Sequence, residues 1–453
     1  MFGDFMRRKR RDASWPDVIS TVCRCRDRFR IAFPCTETYI SHVLKKIQMI
    51  SADEARGSII NSVSPGTTET CMIGDCLGRV LAADIPAPLD LPPFDNSSMD
   101  GFAVRTEDLA AATRDSPVHL KLFGELPAGT WSRETLRPGH AIRIMTGAPI
   151  PPGADAVAEQ EMTESDNGSV HIFSPVAQGR NIRKRGEALS AGALALRKGV
   201  RLSAASVGSL ASMGISNVEV YRRPTVAIVC TGNEVVGLDR TPAPGQIWNS
   251  NAFTLRGVLQ NCGANVVDLG IVPDSKEQLT SLFREALTYD AVVTSGGVSV
   301  GKYDLVLEVL KSLDVEIKFW KVNIKPGMPM AFGVSKTDAR RVPVFALPGN
   351  PVSATVTFDQ FVRPGLERMS GIEPPEPRLR IRATLEEPIR KNDGKRHFIR
   401  GIARNLGGGI VVTTTGTQSS GVLMSLVKAN CLIILPEDCG SLNKGDVVEI
   451  ELL

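Results

Sequence analysis

Strands alternating with helices over residues 222–371, glycine-lined turns after three of those strands, and period-two patterning after Gly371 predict a multidomain α/β plus β protein. The expected centre is a doubly wound α/β domain, with a β-rich second domain before it and a small β-barrel or sandwich after it. The length agrees, because 453 residues hold about three domains at roughly 150 residues each.

The elements follow in order. "MISADEARGSIINSV" has apolar residues near helical spacing, and Ser51 is its N-cap candidate. "PAPLDLPPFDNSSMDGFAVR" carries four prolines and a polar cluster, so it reads as a loop that ends in a short strand. Residues 117–175 break brief apolar stretches with Gly and Pro, the texture of a β-rich module. "GRNIRKRGEALSAG" is a basic turn flanked by glycine. From Arg222 the pattern changes. "TVAIVCTGNEVV" is a buried-type strand, "NSNAFTLRGVLQNCG" a helix closed by Gly263, "ANVVDLGIVPDS" a strand and loop, and "SKEQLTSLFREALT" an amphipathic helix. "DAVVTSGGVSVGKYD" then runs from strand into glycine loop, "YDLVLEVLKSL" is a helix, and "VPVFALPGNPVSATVTFDQF" is strand, tight turn and helix. Beyond Gly371, "RLRIRATL" alternates and "CLIILPEDCGSLNKGDVVEIELL" reads as strand, turn, strand.

Composition narrows the function. The formal charge is +4, but residues 1–48 hold 11 Lys/Arg against 5 Asp/Glu, which leaves 42 against 44 for the rest. The body therefore lacks the basic excess of a nucleic-acid binder. No apolar run approaches the roughly 18 residues of a membrane helix. Nine scattered cysteines, without a CxxC pair or a nearby histidine, give neither zinc spacing nor a disulfide framework and fit a reducing cytoplasm. Cys230 and Cys431 sit in apolar runs and read as core residues. The basic stretch 1–48 has no helical or strand period and no secretory core; it reads as an extension, disordered or not native, with Met49 as the working start.

Ligands of open α/β sheets bind beyond the carboxyl ends of the strands. Three stretches of small residues fall there: "TGNE" (231–234), "SGGVSVG" (295–301) and "PGNPVS" (348–353). Their exposed backbone N–H groups form anion-binding nests, and Ser295, Ser299 and Ser353 add hydroxyls. Gly296, Gly301 and Lys302 also fit the phosphate-loop spacing G-x-x-x-x-G-K. That motif needs Ser or Thr next, to reach Mg²⁺, and the next residue here is Tyr303, so a hydrolytic phosphate loop is disfavoured. Lys321 and Lys325 are either solvated surface charges or cations aimed at a ligand; Arg183 and Arg185 are surface charges unless they face the same pocket. Asp100, Glu234, Asp274 and Asp304 need a bridging metal or a proton to act beside anions, although Asp274 and Asp304 also fit capping roles.

Taken together, "PPFDNSSMDGFAVR", "RIMTGAPIPPGADAV", "GRNIRKRGE", "TGNE", "GQIWNSN", "SGGVSVGKYD", "FWKVNIKPG", "LPGNPVSATVTF" and "SGVLMSLVKANCLIILPE" resemble the molybdopterin molybdenumtransferases, in order, from Met49 to Leu453. The resemblance implies molybdenum cofactor biosynthesis: molybdate is inserted into adenylylated molybdopterin and AMP leaves, with Mg²⁺ or Zn²⁺ assisting. It implies a cytoplasmic homodimer of four-domain subunits with an active site shared between subunits, and a contact with the molybdopterin adenylyltransferase. The implied domains are a helix at 49–67 on the α/β domain, an elongated linking domain at 68–86 and 188–221, a β-rich domain at 87–187, the α/β molybdopterin-binding domain at 222–371 and a C-terminal β-barrel at 372–453. Asp100, Thr146, Glu234 and Asp304 take catalytic roles. Arg183, Ser295, Gly296, Gly297, Ser299, Lys321, Lys325, Asn350 and Ser353 hold substrate, and Glu234, Asp274 and Asp304 hold the metal. Two positions depart from the pattern: Ala188 stands where the family carries Asp, and Met328 where many members carry Lys. Ala188 motivates the competing reading, a non-catalytic relative that carries molybdopterin or molybdate.

Overall fold

The computed structural model describes residues 49–166, 168–298, 305–336 and 341–453. The chain divides into two units, Met1–Ile50 and Ser51–Leu453, and every element named below lies in the second. The basic extension falls outside the described residues.

Helix α1 (Ala52–Ser62) starts as the sequence expects. Ser51 accepts the Glu54 N–H and Glu54 accepts the Ser51 N–H in return, a closed capping box. Ala52, Ala55 and Ile59 form its buried side. Next comes a module assembled from two separated pieces of chain. Strand β1 (Thr68–Met72) pairs antiparallel with β12 (Asn217–Tyr221), and β2 (Ile85–Pro86) pairs with β11 (Leu194–Leu196). Its core of Leu81, Leu202, Leu210 and Val218 includes one side of helix α2 (Ala204–Ser212).

Inserted between those pieces is a six-stranded mixed sheet ordered β7-β4-β6-β5-β9-β8. Its strands are β4 (Gly101–Val104), β5 (Val118–Leu126), β6 (His140–Ile144), β7 (Ala156–Glu159), β8 (Thr163–Asp166) and β9 (Ser169–Ile172). A two-stranded ladder beside it joins β3 (Asn96–Ser97) to β10 (Ile182–Arg183). Gly101 is required here, since a Cβ at that position would lie 2.0 Å from the Ala158 carbonyl oxygen of the neighbouring strand.

The α/β sheet is ordered β16-β13-β17-β21-β20-β18. Strands β13 (Thr225–Thr231), β16 (Asn265–Val272), β17 (Ala291–Ser295) and β21 (Pro343–Leu347) are parallel, as expected. By contrast, β18 (Val315–Trp320) and β20 (Ala331–Ser335) run antiparallel. Short links replace the helical crossovers there, and a short link can join only antiparallel neighbours. Strands β17 and β21 are buried at every residue, because helices cover both faces. Helices α3 (Ser250–Asn261), α4 (Lys276–Ala286) and α5 (Leu305–Ser312) belong to this layer. After β21, α6 (Pro351–Thr357) passes through a π turn (Phe358–Val362) into α7 (Arg363–Met369). Pro364 lacks the N–H that a regular α-helix needs at that point, which accounts for the widened turn.

Five strands close the C-terminal barrel: β22 (Arg380–Leu385), β23 (Arg396–Asn405), β24 (Ile410–Thr414), β25 (Cys431–Leu435) and β26 (Val447–Leu452). Pairing runs β23-β24-β22-β26-β25, and β25 returns to β23. Cys431 is fully buried in this barrel and Cys230 in β13, so both are the core thiols expected; burial pushes each up to about 11. One strand crosses modules: β19 (Ile324–Lys325) arises within the α/β segment yet pairs parallel to β23, with Lys325 opposite His397.

Candidate functional site

A cavity of about 550 Å³ opens at the carboxyl ends of β13, β17 and β21. All three anticipated turns reach it through Thr231, Gly232 and Glu234, through Ser295, Gly296 and Gly297, and through Pro348, Gly349 and Asn350. Gly296 and Gly297 have φ of 100° and 66°, in the left-handed region. A Cβ on Gly296 would lie 2.5 Å from the Thr231 carbonyl oxygen, and one on Gly297 would lie 2.5 Å from Val306. The loop therefore brings bare backbone against β13, and only glycine fits.

Beneath this loop a polar floor is only partly satisfied. Asn251, at the start of α3, donates to Ser295 Oγ and to the Gly349 carbonyl, each at 2.7 Å, so it ties two turns together. Ser295 Oγ in turn donates to the Pro348 carbonyl at 3.3 Å. Its hydroxyl is thus engaged within the protein and orders the cradle. Of the residues lining the cavity, Thr231 Oγ1 and Asn251 Oδ1 are buried and have no hydrogen-bond partner among the described residues. Buried polar atoms normally find partners, so this floor is what a polar ligand would complete.

Glu234 and Asp274 line the same cavity. Burial, and then the negative charge of Glu234, push the Asp274 carboxyl above its usual range. Two mutually repelling carboxylates beside an anion cradle suit a hard divalent cation, which characteristically takes one or two carboxylates plus phosphate and water oxygens. Among the described residues, no group of three or more His, Cys, Asp and Glu could hold a metal. The third expected ligand, Asp304, lies outside the described residues together with Ser299, Lys302 and Tyr303.

The other expected residues do not line this cavity in the single chain. Asp100, Thr146 and Arg183 gather on the β-rich side. Asp100 Oδ1 accepts the Thr146 N–H at 2.7 Å and its hydroxyl at 2.8 Å, and these bonds, backbone first, hold the Asp100 carboxyl below its usual range. Arg183 is exposed on β10, paired with Asn96. Ser353 is buried within α6. Lys321 places its ammonium 4.1 Å from the Trp320 ring centroid, a cation–π contact. Lys325 pairs with Asp393 at 3.3 Å. Burial opposes ionisation of Asp393, but the His397 hydrogen bond at 2.7 Å and its charge, with Lys325, outweigh it and hold that carboxyl at about 2. At the first departure, Glu187 does not stand in for the missing Asp, because its carboxylate turns back to accept the Lys184 N–H at 2.7 Å. At the second, the Lys395 ammonium reaches within 3.4 Å of Met328 Sδ.

Sequence reasoning missed several groups. Asn251 looked like part of an ordinary helix start. Trp248 and Ile247 form one wall of the cavity. Arg400 is buried to 1% exposure and has no carboxylate partner among the described residues; it donates to Ser425 Oγ at 3.2 Å and the Ser419 carbonyl at 3.3 Å, and burial lowers it to about 10. That guanidinium braces the turn whose Ser420 carbonyl accepts the Val352 N–H and whose Gly421 touches the cavity. The available signal was an arginine inside the apolar run "HFIRG".

Comparison with known proteins covers nearly the whole described chain. Residues 50–214 match the MoeA N-terminal region (domain I and II), 227–368 the probable molybdopterin binding domain, and 382–453 the MoeA C-terminal region (domain IV). A molybdopterin molybdenumtransferase of Haemophilus influenzae is 36% identical over 407 residues, 89% of this chain and 98% of that one. Molybdopterin molybdenumtransferase 2 of Mycobacterium tuberculosis is 38% identical over 379 residues, 82% and 92% respectively. Among solved structures, the molybdopterin biosynthesis moeA protein of Pyrococcus horikoshii OT3 superposes with a TM-score of 0.77 at 30% identity, covering 90% of this chain and all of that one.

Proposed function

Because this chain belongs to the molybdopterin molybdenumtransferase family, we propose that it inserts molybdate into adenylylated molybdopterin with release of AMP, and that the glycine-lined cavity is where this occurs. One observation supports the assignment: three strand-end turns of small residues meet around one cavity, where Thr231 Oγ1 and Asn251 Oδ1 are buried without a partner among the described residues. Phosphate and molybdate are both oxyanions, and both need fixed donors.

Gly296, Gly297 and Asn350 present the cradle, and Ser295 and Asn251 keep its turns in register. Glu234 and Asp274 would hold Mg²⁺, or Zn²⁺ in its place, with Asp304 as the third ligand. When bound, that cation neutralises phosphoanhydride oxygens as the adenylate leaves. Lys321 and Lys325 counter the charge of the anions, and Ser299 and Ser353 add hydroxyl donors. Asp100, Thr146 and Arg183 complete the pocket from the second subunit of a homodimer in the cytoplasm, and the molybdopterin adenylyltransferase is the partner that delivers substrate.

A turnover assay with adenylylated molybdopterin and molybdate tests this reading. AMP release that depends on molybdate and a divalent cation is the expected result. Ala188, with Glu187 turned away, favours one alternative, a carrier: tight pterin binding with no AMP release would establish it and displace the enzyme.

A further inference from the structure

The cavity has two unlike walls. Besides the glycine turns it is lined by Trp248 and Ile247, 51% and 59% exposed. An open tryptophan is ordinarily free to rotate, but this one is fixed. Its indole N–H donates to the Arg240 carbonyl at 2.9 Å. Its backbone is held in a short parallel ladder between β14 (Val235–Val236) and β15 (Ile247–Trp248). Two further bonds close that ladder, from Ile247 N–H to the Glu234 carbonyl at 2.8 Å and from Asn249 N–H to the Val236 carbonyl at 2.9 Å. The strand pair that carries Glu234 into the cavity therefore carries the indole with it.

A rigid, half-bare aromatic ring beside an anion cradle is matched by a ligand that is anionic at one end and a flat ring at the other. We propose that Trp248 is the stacking platform for the fused heterocycle of the bound ligand, while the anionic end lies against Gly296 and Gly297. The proposal rests on the functional reading above and adds the residue that recognises the ring. Both the purine and the pterin of an adenylylated pterin have this chemistry. Stacking on a fixed aromatic tolerates different heterocycles, because each offers a π face.

The test is calorimetric titration of the full chain with four probes: AMP, a phosphate-free pterin, inorganic phosphate and molybdate. Wild type, Trp248→Ala and Trp248→Phe are compared, with circular dichroism and thermal midpoint as folding controls. For Trp248→Ala, AMP or the pterin should weaken about tenfold, in line with measured base–aromatic stacking, while phosphate and molybdate stay within about twofold. Trp248→Phe should recover most of the loss. The probe that weakens identifies which ring stacks. Unchanged ring binding, or phosphate weakening in step with the rings, would overturn the platform. So would an altered oligomeric state with ring affinity intact, which would make Trp248 a subunit contact. If wild type binds none of the four, the cavity reading fails first, an outcome distinct from loss of the platform alone.

Discussion

Gly296 and Gly297 are the positions at which the cradle is most vulnerable. Both need a left-handed backbone, and both would press a Cβ into neighbours at 2.5 Å. The Gly296 neighbour is a carbonyl oxygen of β13, which cannot move aside, whereas the Gly297 neighbour is a valine side chain. Gly296→Ala should therefore destabilise the chain more than Gly297→Ala, by about 2 kcal/mol or more, read as a lower urea midpoint, and should also abolish phosphate binding. Asp274 makes the opposite prediction. Its carboxyl is raised by burial and by Glu234, so the folded state resists its ionisation. That penalty is absent below the ordinary carboxylate range and grows as pH rises through the raised value. Asp274→Asn should consequently raise the thermal midpoint at pH 7, with the gain shrinking toward pH 4, while Mg²⁺ binding is lost. A midpoint equal to wild type at both pH values would show that the two carboxylates do not interact. The glycine turns were legible in the sequence because small residues after apolar strands carry their own signal. Asn251 and Arg400 were not, since each acts through groups far away in the chain, and Trp248 was not, since nothing local tells a wall residue from an ordinary exposed one.

Helix α1 owes its start to one reciprocal pair. Ser51→Ala removes the Oγ that accepts the Glu54 N–H, while the Ser51 backbone N–H can still reach the Glu54 carboxylate; it should cost about 1 kcal/mol, seen as faster hydrogen exchange in the first turn. Unchanged exchange would mean that packing against Gln360 and its neighbours alone holds the helix, since Arg56 donates to Gln360 Oε1 at 3.0 Å. This element could be read directly, because Ser-x-x-Glu is a local pattern. The direction of β18 and β20 could not, because antiparallel pairing is decided by the length of links and not by residue period. Strand β19 was hidden for a related reason. "VNIK" reads as extended, but no local feature says that its edge joins a barrel strand more than 70 residues later.

At the scale of the whole molecule, the proposed site is divided. The cavity holds Glu234 and the glycine turns, while Asp100, Thr146 and Arg183 lie elsewhere on the same chain. If two subunits share each site, Asp100→Asn and Glu234→Gln should each be inactive alone. Co-expressed, they should regain about a quarter of wild-type AMP release, because random pairing makes half the molecules mixed and each mixed molecule keeps one intact site. No recovery would place both residues in one subunit's chemistry. The succession of modules was visible as changes of texture near Arg222 and Gly371. The proposed sharing of the site came only from the family resemblance, because periodicity describes neighbours along a chain and carries nothing about a second copy.

The crossing strand bears on how the protein can be taken apart. A fragment cut at Gly371 would keep five barrel strands but surrender the short sixth partner along Arg396 and His397, and Lys325 would leave its ionic clasp with Asp393. Such a piece would carry a raw seam on β23, open to pairing with any extended peptide. The two modules are stitched together by a thread that neither contains whole.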